Sequence, residues 1–153
     1  MSRDRITFFA GEYAFLSNFY QDEVPLRIGF GYMDYENYPT VEHFYQEQKT
    51  RDIEWRARIR AAETPGEAKR LGRAAPQRKN WAEIKNGVMW TGLNTKFDQS
   101  YPLAIKLRDT HPAHLEEGNS WGDRYFGTVN GIGENVLGKM LMIIRAEKKA
   151  VYR

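Results

Sequence analysis

Apolar and polar positions change period along the chain, and each change marks an element. Residues 5–9 (Arg-Ile-Thr-Phe-Phe) are a short β-prone run that Gly11 breaks. Phe15, Leu16, Phe19 and Tyr20, punctuated by Ser17-Asn18, predict a packed loop or a single turn. Residues 24–28 read as a strand, with Pro25 arguing for an edge. Gly29-Phe30-Gly31 permits a turn. Residues 32–38 then alternate Tyr32, Asp34, Glu36, Tyr38 against Met33, Tyr35, Asn37, as the second strand of a hairpin would. Pro39 blocks helix before it, and Thr40 is a good N-cap. At 100° per residue, Val41, Phe44, Tyr45 and Gln48 share one side of the helix that follows. Glu42, Gln46 and Lys49 form an adjacent stripe at i, i+4 and i+7. Taken alone, this pattern describes a surface helix with one buried face and a solvated polar stripe.

Five more helices follow, the first four by the same signs. Asp52 caps one, with Ile53, Ala57 and Ala61 on one side and Trp55, Ile59 and Ala62 on another. Thr64-Pro65-Gly66-Glu67 is a capping box with proline at the first helical position, opening a short helix that ends near Gly72. Asn80 caps a longer one carrying Trp81, Ile84, Val88, Met89, Leu93 and Phe97. Gly87 and Gly92 inside it cost about 1 kcal/mol each against Ala, which predicts close packing or a kink. Ser100-Tyr101-Pro102 opens another, running to about Asp109 and ended by His111-Pro112. Residues 114–127 are rich in turn formers around Trp121 and Tyr125, and Asn130-Gly131 is a hairpin-type turn. A last helix begins near Glu134 or Asn135, places Val136, Leu137, Met140, Leu141, Ile143 and Ile144 largely inward, and closes with Lys148-Lys149. The expected architecture is one domain over residues 1–153. It is mainly α within an α+β class, with a small β hairpin near the N-terminus.

Composition adds limits. Without cysteine there are no disulfides, thiolate nucleophiles or zinc–thiolate sites. No apolar run approaches the length of a membrane span, and Met1-Ser2-Arg3-Asp4-Arg5 does not resemble a leader, so a cytoplasmic address is expected. Aromatics make up 14% of the chain, enough to supply flat surfaces for a ligand as well as a core. Net charge is only +3, but residues 51–79 hold nine Lys or Arg against four Asp or Glu. Such a segment is a solvated face, a basic rim for a phosphate-bearing ligand, or a nucleic-acid surface.

Several site types are excluded by pattern. Gly131-Ile132-Gly133 begins a dinucleotide fingerprint, but Val136 stands where its third glycine belongs and no strand–helix–strand order surrounds it. There is no Walker loop and no Gly-x-Ser-x-Gly elbow. The histidines are His43, His111 and His114, and Pro112 separates the last two, so no metal ligand set is expected. Carboxylate chemistry remains. Glu42 stands in the first turn of its helix, where the helix end favours its ionised form and burial would favour the neutral one. Asp123 sits in a glycine-flanked loop two residues after Trp121, where a plain turn-forming role is equally open.

Five blocks together carry a resemblance. They are Leu16-Ser17-Asn18-Phe19-Tyr20, Tyr38-Pro39-Thr40-Val41-Glu42-His43-Phe44-Tyr45-Gln46-x-x-Lys49, Thr64-Pro65-x-x-Ala68-Lys69-x-Leu71-Gly72-Arg73, Glu117-Gly118-Asn119-x-Trp121-Gly122-Asp123, and Gly133-Glu134-Asn135-x-Leu137-Gly138-Lys139-x-Leu141-Met142-x-Ile144-Arg145. In this order, and spread over nearly the whole chain, they resemble the NADAR family, also called YbiA-like. The chain departs from the family pattern in a longer hairpin before Tyr38 and in Thr50, where a phenylalanine is common.

The resemblance implies a compact, mainly helical fold and a metal-independent N-glycosidase that needs no cofactor. It implies cleavage of ribosylamino-pyrimidine phosphates of riboflavin synthesis, or removal of ADP-ribose from the amino group of guanine in DNA. It implies Glu42, Lys49 and Asp123 as catalytic candidates and Asn18, Trp121 and Gly122 as substrate contacts, with Lys69 and Arg73 available for phosphate. The residue types suit that chemistry. Breaking a C1′–N bond builds positive character on the sugar and negative character on the leaving nitrogen. Glu42 can protonate that nitrogen or activate water, Asp123 can hold ribose hydroxyls or steady the cation, and Trp121 offers a stacking face. Lys49 either attacks an opened sugar as a Schiff base or holds a phosphate, and the catalytic role is preferred. The competing expectations are a non-catalytic module for ADP-ribose or NAD, and nonspecific nucleic-acid binding through residues 51–79.

Overall fold

The computed structural model describes residues 4–153; Met1, Ser2 and Arg3, part of the stretch read above for a leader, lie outside them. The fold is α+β and mainly helical, with two small two-stranded sheets. The chain sorts into two compact units, one formed by residues 18–96 and the other by residues 1–17 and 97–153.

The first unit begins with the hairpin of β2 (Leu26–Gly29) and β3 (Tyr35–Tyr38), paired antiparallel from Leu26↔Tyr38 to Gly29↔Tyr35. The second strand starts three residues later than the alternation suggested. Tyr32 is wholly exposed, so nothing packs against its side of the pattern. β3 ends on Tyr38, which is buried edge-to-face against Phe44 with ring centroids 5.2 Å apart. Helix α1 (Val41–Gln48) follows immediately, and the Thr40 hydroxyl accepts from the His43 backbone N–H as expected of the cap.

The solvated stripe expected of α1 is absent. Every residue from Val41 to Gln48 is buried. Helix α2 (Ile53–Arg60), helix α3 (Pro65–Ala74) and β3 all pack on it. The long α4 (Trp81–Gln99) closes on it too, because Gly92 stands where a Cβ would lie 3.1 Å from Val41. The expected close packing thus holds at Gly92, whereas Gly87 faces open space. Three polar side chains of α1, His43, Gln46 and Glu47, have partners inside this shell. Glu47 accepts from Arg56 at 2.9 Å and from Arg60 at 3.4 Å, tying α1 to α2. His43 meets the Thr40 hydroxyl through Nδ1 at 2.8 Å and donates from Nε2 to the Ala62 carbonyl at 2.9 Å. A carbonyl only accepts, so the proton is on Nε2. Burial lowers the pKa of this imidazole, so it is a neutral strut.

Lys96 is a cost inside this unit. It is buried, and desolvation pulls its ammonium from 10.5 down to about 7, against the pull of the Asp22 carboxylate and the Tyr20 ring face 5.5 Å away. Below pH 7 folded and unfolded chains are both charged here, so the full desolvation cost is carried. Between about 7 and 10.5 the unfolded chain holds a proton that the folded chain does not. Stability therefore rises with pH across that window, by at most about 1.4 kcal/mol for each step of one in pH. Lys96→Met is expected to raise stability at pH 7 by several kcal/mol, on the order of the desolvation cost it removes, and to flatten this slope. Urea unfolding at pH 7 and pH 9 checks it, and an unchanged slope would refute it.

In the second unit, β1 (Arg5–Ile6) pairs in parallel with β4 (His114–Leu115), a short strand that the turn-rich composition concealed. A 3-10 helix spans Gly11–Leu16, overlapping only the start of the packed loop or single turn expected from Phe15 to Tyr20. Helices α5 (Tyr101–Asp109) and α6 (Val136–Val151) pack on each other over Leu103, Leu107, Leu137, Leu141 and Ile144, all buried, whereas Ile143, expected inward, is on the solvent side of α6 and exposed. Arg145 is buried with them and donates to the Ala113 carbonyl at 2.7 Å, holding the chain that leads into β4.

Candidate active site

Asn18, Glu42, Lys49, Lys69 and Arg73 all belong to the unit of residues 18–96, and α1 organises them. The Asn18 carbonyl accepts from the Glu42 backbone N–H at 3.1 Å, satisfying a first-turn donor and tying Asn18 to the start of α1. The Asn18 side chain is buried, donates weakly to the Met89 sulfur at 3.3 Å, and presents Oδ1 with no hydrogen-bond partner. Glu42 itself is buried, and Gln46 Nε2 donates to its Oε1 at 2.6 Å. This bond fixes the rotamer of the carboxylate from one turn below.

Gln46 fits because α3 brings a glycine against it. A Cβ on Gly72 would lie 2.1 Å from Gln46 Oε1 and 2.9 Å from its Cβ. Sequence reasoning placed Gln46 on the Glu42 stripe and left it without a role. The signal was available: an amide four residues after a carboxylate, opposite a glycine in the Leu71-Gly72-Arg73 block.

Lys49 caps the C-terminal end of α1, half-buried, with its ammonium 5.4 Å from the Tyr45 ring centre. Its pKa is lowered, first by desolvation and then by the positive charges of Arg73 and Lys69. Glu42 acts in the opposite direction. These couplings place the two cations of α3 and the carboxylate of α1 around one amine. Lys69 also lies over the Phe19 ring at 5.9 Å, and Phe19 is exposed. The cluster therefore holds a fixed buried carboxylate, an amine with a reduced cost of being neutral, two cations, and an open aromatic face. Thr50, which replaces the common phenylalanine, is buried and accepts from the Asp52 N–H at 3.2 Å.

Trp121, Gly122 and Asp123 belong to the other unit. Gly122 has φ +88°, a conformation that L side chains rarely adopt. Asp123 does the turn-forming work that its loop context allowed, since its Oδ1 accepts from the N–H groups of Tyr125 and Phe126 at 3.0 Å each. Asn119 buckles the loop. Its Nδ2 donates to the Asp123 carbonyl at 2.8 Å and its Oδ1 accepts from the Asp123 N–H at 3.0 Å. Sequence reasoning overlooked Asn119, although its i, i+4 relation to Asp123 was readable. Trp121 is 57% exposed beside a cavity of about 620 Å3, which Phe8, Ser120 and Asn130 also line. Among the described residues, no group of three or more His, Cys, Asp or Glu side chains is placed to hold a metal ion. Among them, too, no helix is long and apolar enough to cross a membrane.

The sequence pattern of the NADAR domain matches residues 7–148. The chain belongs to the NADAR family. It is 41% identical over 118 residues to N-glycosidase YbiA of Shigella sonnei, covering 75% of this chain and 73% of that protein. An N-glycosidase of Nostoc punctiforme is 38% identical over 114 residues, covering 71% and 72% of the two chains. A riboflavin biosynthesis protein of Vibrio vulnificus is 34% identical over 138 residues, covering 88% of this chain and 35% of that longer protein. The solved NMR structure of E. coli YbiA superposes with a TM-score of 0.80 at 34% identity, over 100% of this chain and 91% of that one. This NADAR chain is thus a hydrolase of the N-glycosidase class.

Proposed function

We propose that the chain hydrolyses the C1′–N bond between a ribose and an amino-linked base in a phosphorylated substrate. The single observation that carries this reading is the buried Glu42–Gln46 pair at 2.6 Å, set near an amine whose pKa burial has lowered. A carboxyl held in one rotamer out of bulk water is suited to proton transfer at a leaving nitrogen. In the proposed sequence the ribosylamine opens to its imine, and the neutral Lys49 amine adds to C1′. Glu42 delivers a proton to the departing amino group, which leaves as the free base. Water then adds to the Lys49 Schiff base, returning the lysine and releasing the sugar as its aldehyde. Lys69 and Arg73 are the proposed phosphate ligands, and Asn18 Oδ1 the acceptor for a ribose hydroxyl. Trp121 and Asp123 are carried over from the family blocks as base and ribose contacts. Asp123 would act through Oδ2, since Oδ1 is engaged by the loop. The proposed setting is the cytoplasm, where a chain without cysteine gives up no disulfides.

Two substrates share this chemistry: ribosylamino-pyrimidine phosphates and guanine carrying ADP-ribose on its amino group. The riboflavin name of the Vibrio vulnificus relative supports the first. Incubating the protein with each and measuring release of free sugar phosphate or ADP-ribose tests the proposal. Release from at least one is expected, and release from neither would sink it.

A further inference from the structure

Within the unit of residues 18–96, Lys96 is the group whose place in the core the fold alone does not explain. It follows Met89 by two turns of α4 and shares a face with Met89 and Leu93, and all three side chains are buried. Its companions on that face are apolar. An uncharged side chain of similar length would fill the position without the desolvation cost described above. Groups kept in a core against such a cost cluster at functional sites.

The segment over Lys96 leads directly to the Glu42 cluster. Residues 17–25 belong to no helix or strand, so side-chain contacts weigh heavily in setting their path. The Lys96 amine stands 5.5 Å from the centre of the Tyr20 ring, and the Asp22 carboxylate is near enough for its charge to act on that amine. Two residues before Tyr20, Asn18 rests on the same helix, since its Nδ2 donates to the Met89 sulfur at 3.3 Å. Helix α4 therefore meets residues 18–22 at Met89 and again at Lys96. The first contact is weak, because a thioether is a poor acceptor. The same short segment carries groups that serve the cluster. The Asn18 carbonyl takes the Glu42 N–H, Asn18 Oδ1 has no hydrogen-bond partner, and the Phe19 ring lies 5.9 Å from the Lys69 amine.

We propose that Lys96 is a positioning residue for the sugar: by holding Tyr20 and Asp22 against α4 it sets the direction of Asn18 Oδ1, and with it the grip on a ribose hydroxyl. The proposal rests on the reading of Asn18 as the ribose contact. Lys96 itself touches no substrate and exchanges no proton with it. The desolvation cost at this position is then tied to an ordered sugar site, so stability and sugar binding oppose each other there.

Titration of the full chain with ribose 5-phosphate and with inorganic phosphate, followed by phosphorus NMR, tests this without turnover. Inorganic phosphate reports the proposed Lys69 and Arg73 contacts, and ribose 5-phosphate adds the sugar. Lys96→Met should melt at a higher temperature than the parent and yet bind ribose 5-phosphate about tenfold more weakly, the usual contribution of one hydrogen bond. Its binding of inorganic phosphate should match the parent. Asn18→Ala should weaken ribose 5-phosphate alike, and the double variant should bind no more weakly than Asn18→Ala, because Lys96 acts through Asn18. Asp22→Asn loosens the same segment from its outer side and should weaken the sugar phosphate in the same sense, so the test stands even where Lys96→Met fails to fold. Several results would overturn the proposal: no binding of ribose 5-phosphate by the parent, parent-like binding by Lys96→Met or Asp22→Asn, additive losses in the double variant, or equal weakening of both ligands. The glycosidase reading is judged separately, by release of base, and its failure would leave these affinities unchanged.

Discussion

Glu42→Gln is expected to lower the rate of base release by about 10²–10⁴-fold, the usual contribution of a positioned acid or base. The variant isolates proton transfer. Glutamine keeps the shape of the side chain, and its amide oxygen can still accept from Gln46 Nε2, the bond that measures 2.6 Å in the native protein. The backbone link from Glu42 to the Asn18 carbonyl is untouched by the change. Folding should therefore survive, and equal melting curves would confirm it. Substrate affinity should change little, because Lys69 and Arg73 are the proposed phosphate ligands, so the loss should fall on kcat rather than KM. Turnover within a factor of a few of the parent, at matched stability, would remove Glu42 from the proton-transfer role.

The predicted helices were legible because local chemistry sets them. Thr40, Asp52, Thr64 and Ser100 all cap helices by accepting from backbone N–H groups two or three residues on, as their positions in the sequence suggested. The hairpin was legible in outline and misjudged at its end, where Tyr32 and Met33 follow a strand alternation without any sheet to support it. β4 was hidden because its partner, β1, is more than a hundred residues away and only two residues long, and no local pattern reports such pairing.

The candidate site divides the same way. The Glu42–Gln46–Lys49 stripe was visible as helical spacing. Its burial was not, because Glu, His and Gln on a helix read as solvated unless their partners are known. Those partners come from other elements: Gly72 for Gln46, Ala62 for His43, Arg56 for Glu47. Helix α1 therefore looks like a surface in sequence and is enclosed in space. Asp123 runs the other way. It was singled out for chemistry, and half of its carboxylate serves the loop that presents it.

Lys49→Arg is expected to remove turnover as thoroughly as Glu42→Gln, by about 10²-fold or more, although it preserves the positive charge. A guanidinium cannot attack C1′ near neutral pH, while it holds phosphate at least as well as an ammonium. If Lys49 were only a phosphate anchor, Lys49→Arg would retain kcat and Lys49→Ala would raise KM. Borohydride added during turnover separates the roles directly. The native protein should gain the mass of the reduced sugar adduct, and Lys49→Arg should gain none. The pH dependence supplies the sign. Burial, Arg73 and Lys69 all lower the Lys49 pKa from its ordinary 10.5, and Glu42 opposes them. The neutral, nucleophilic amine is then present at lower pH than for a free lysine, so kcat should rise with pH and level off below 10.5. Arg73→Gln removes one of the charges that disfavour the ammonium, so the Lys49 pKa rises and the rising limb of kcat must move to higher pH. KM should rise as well, through the lost phosphate contact. A limb that stays in place, or moves to lower pH, would show that the amine titrating in the rate is not Lys49.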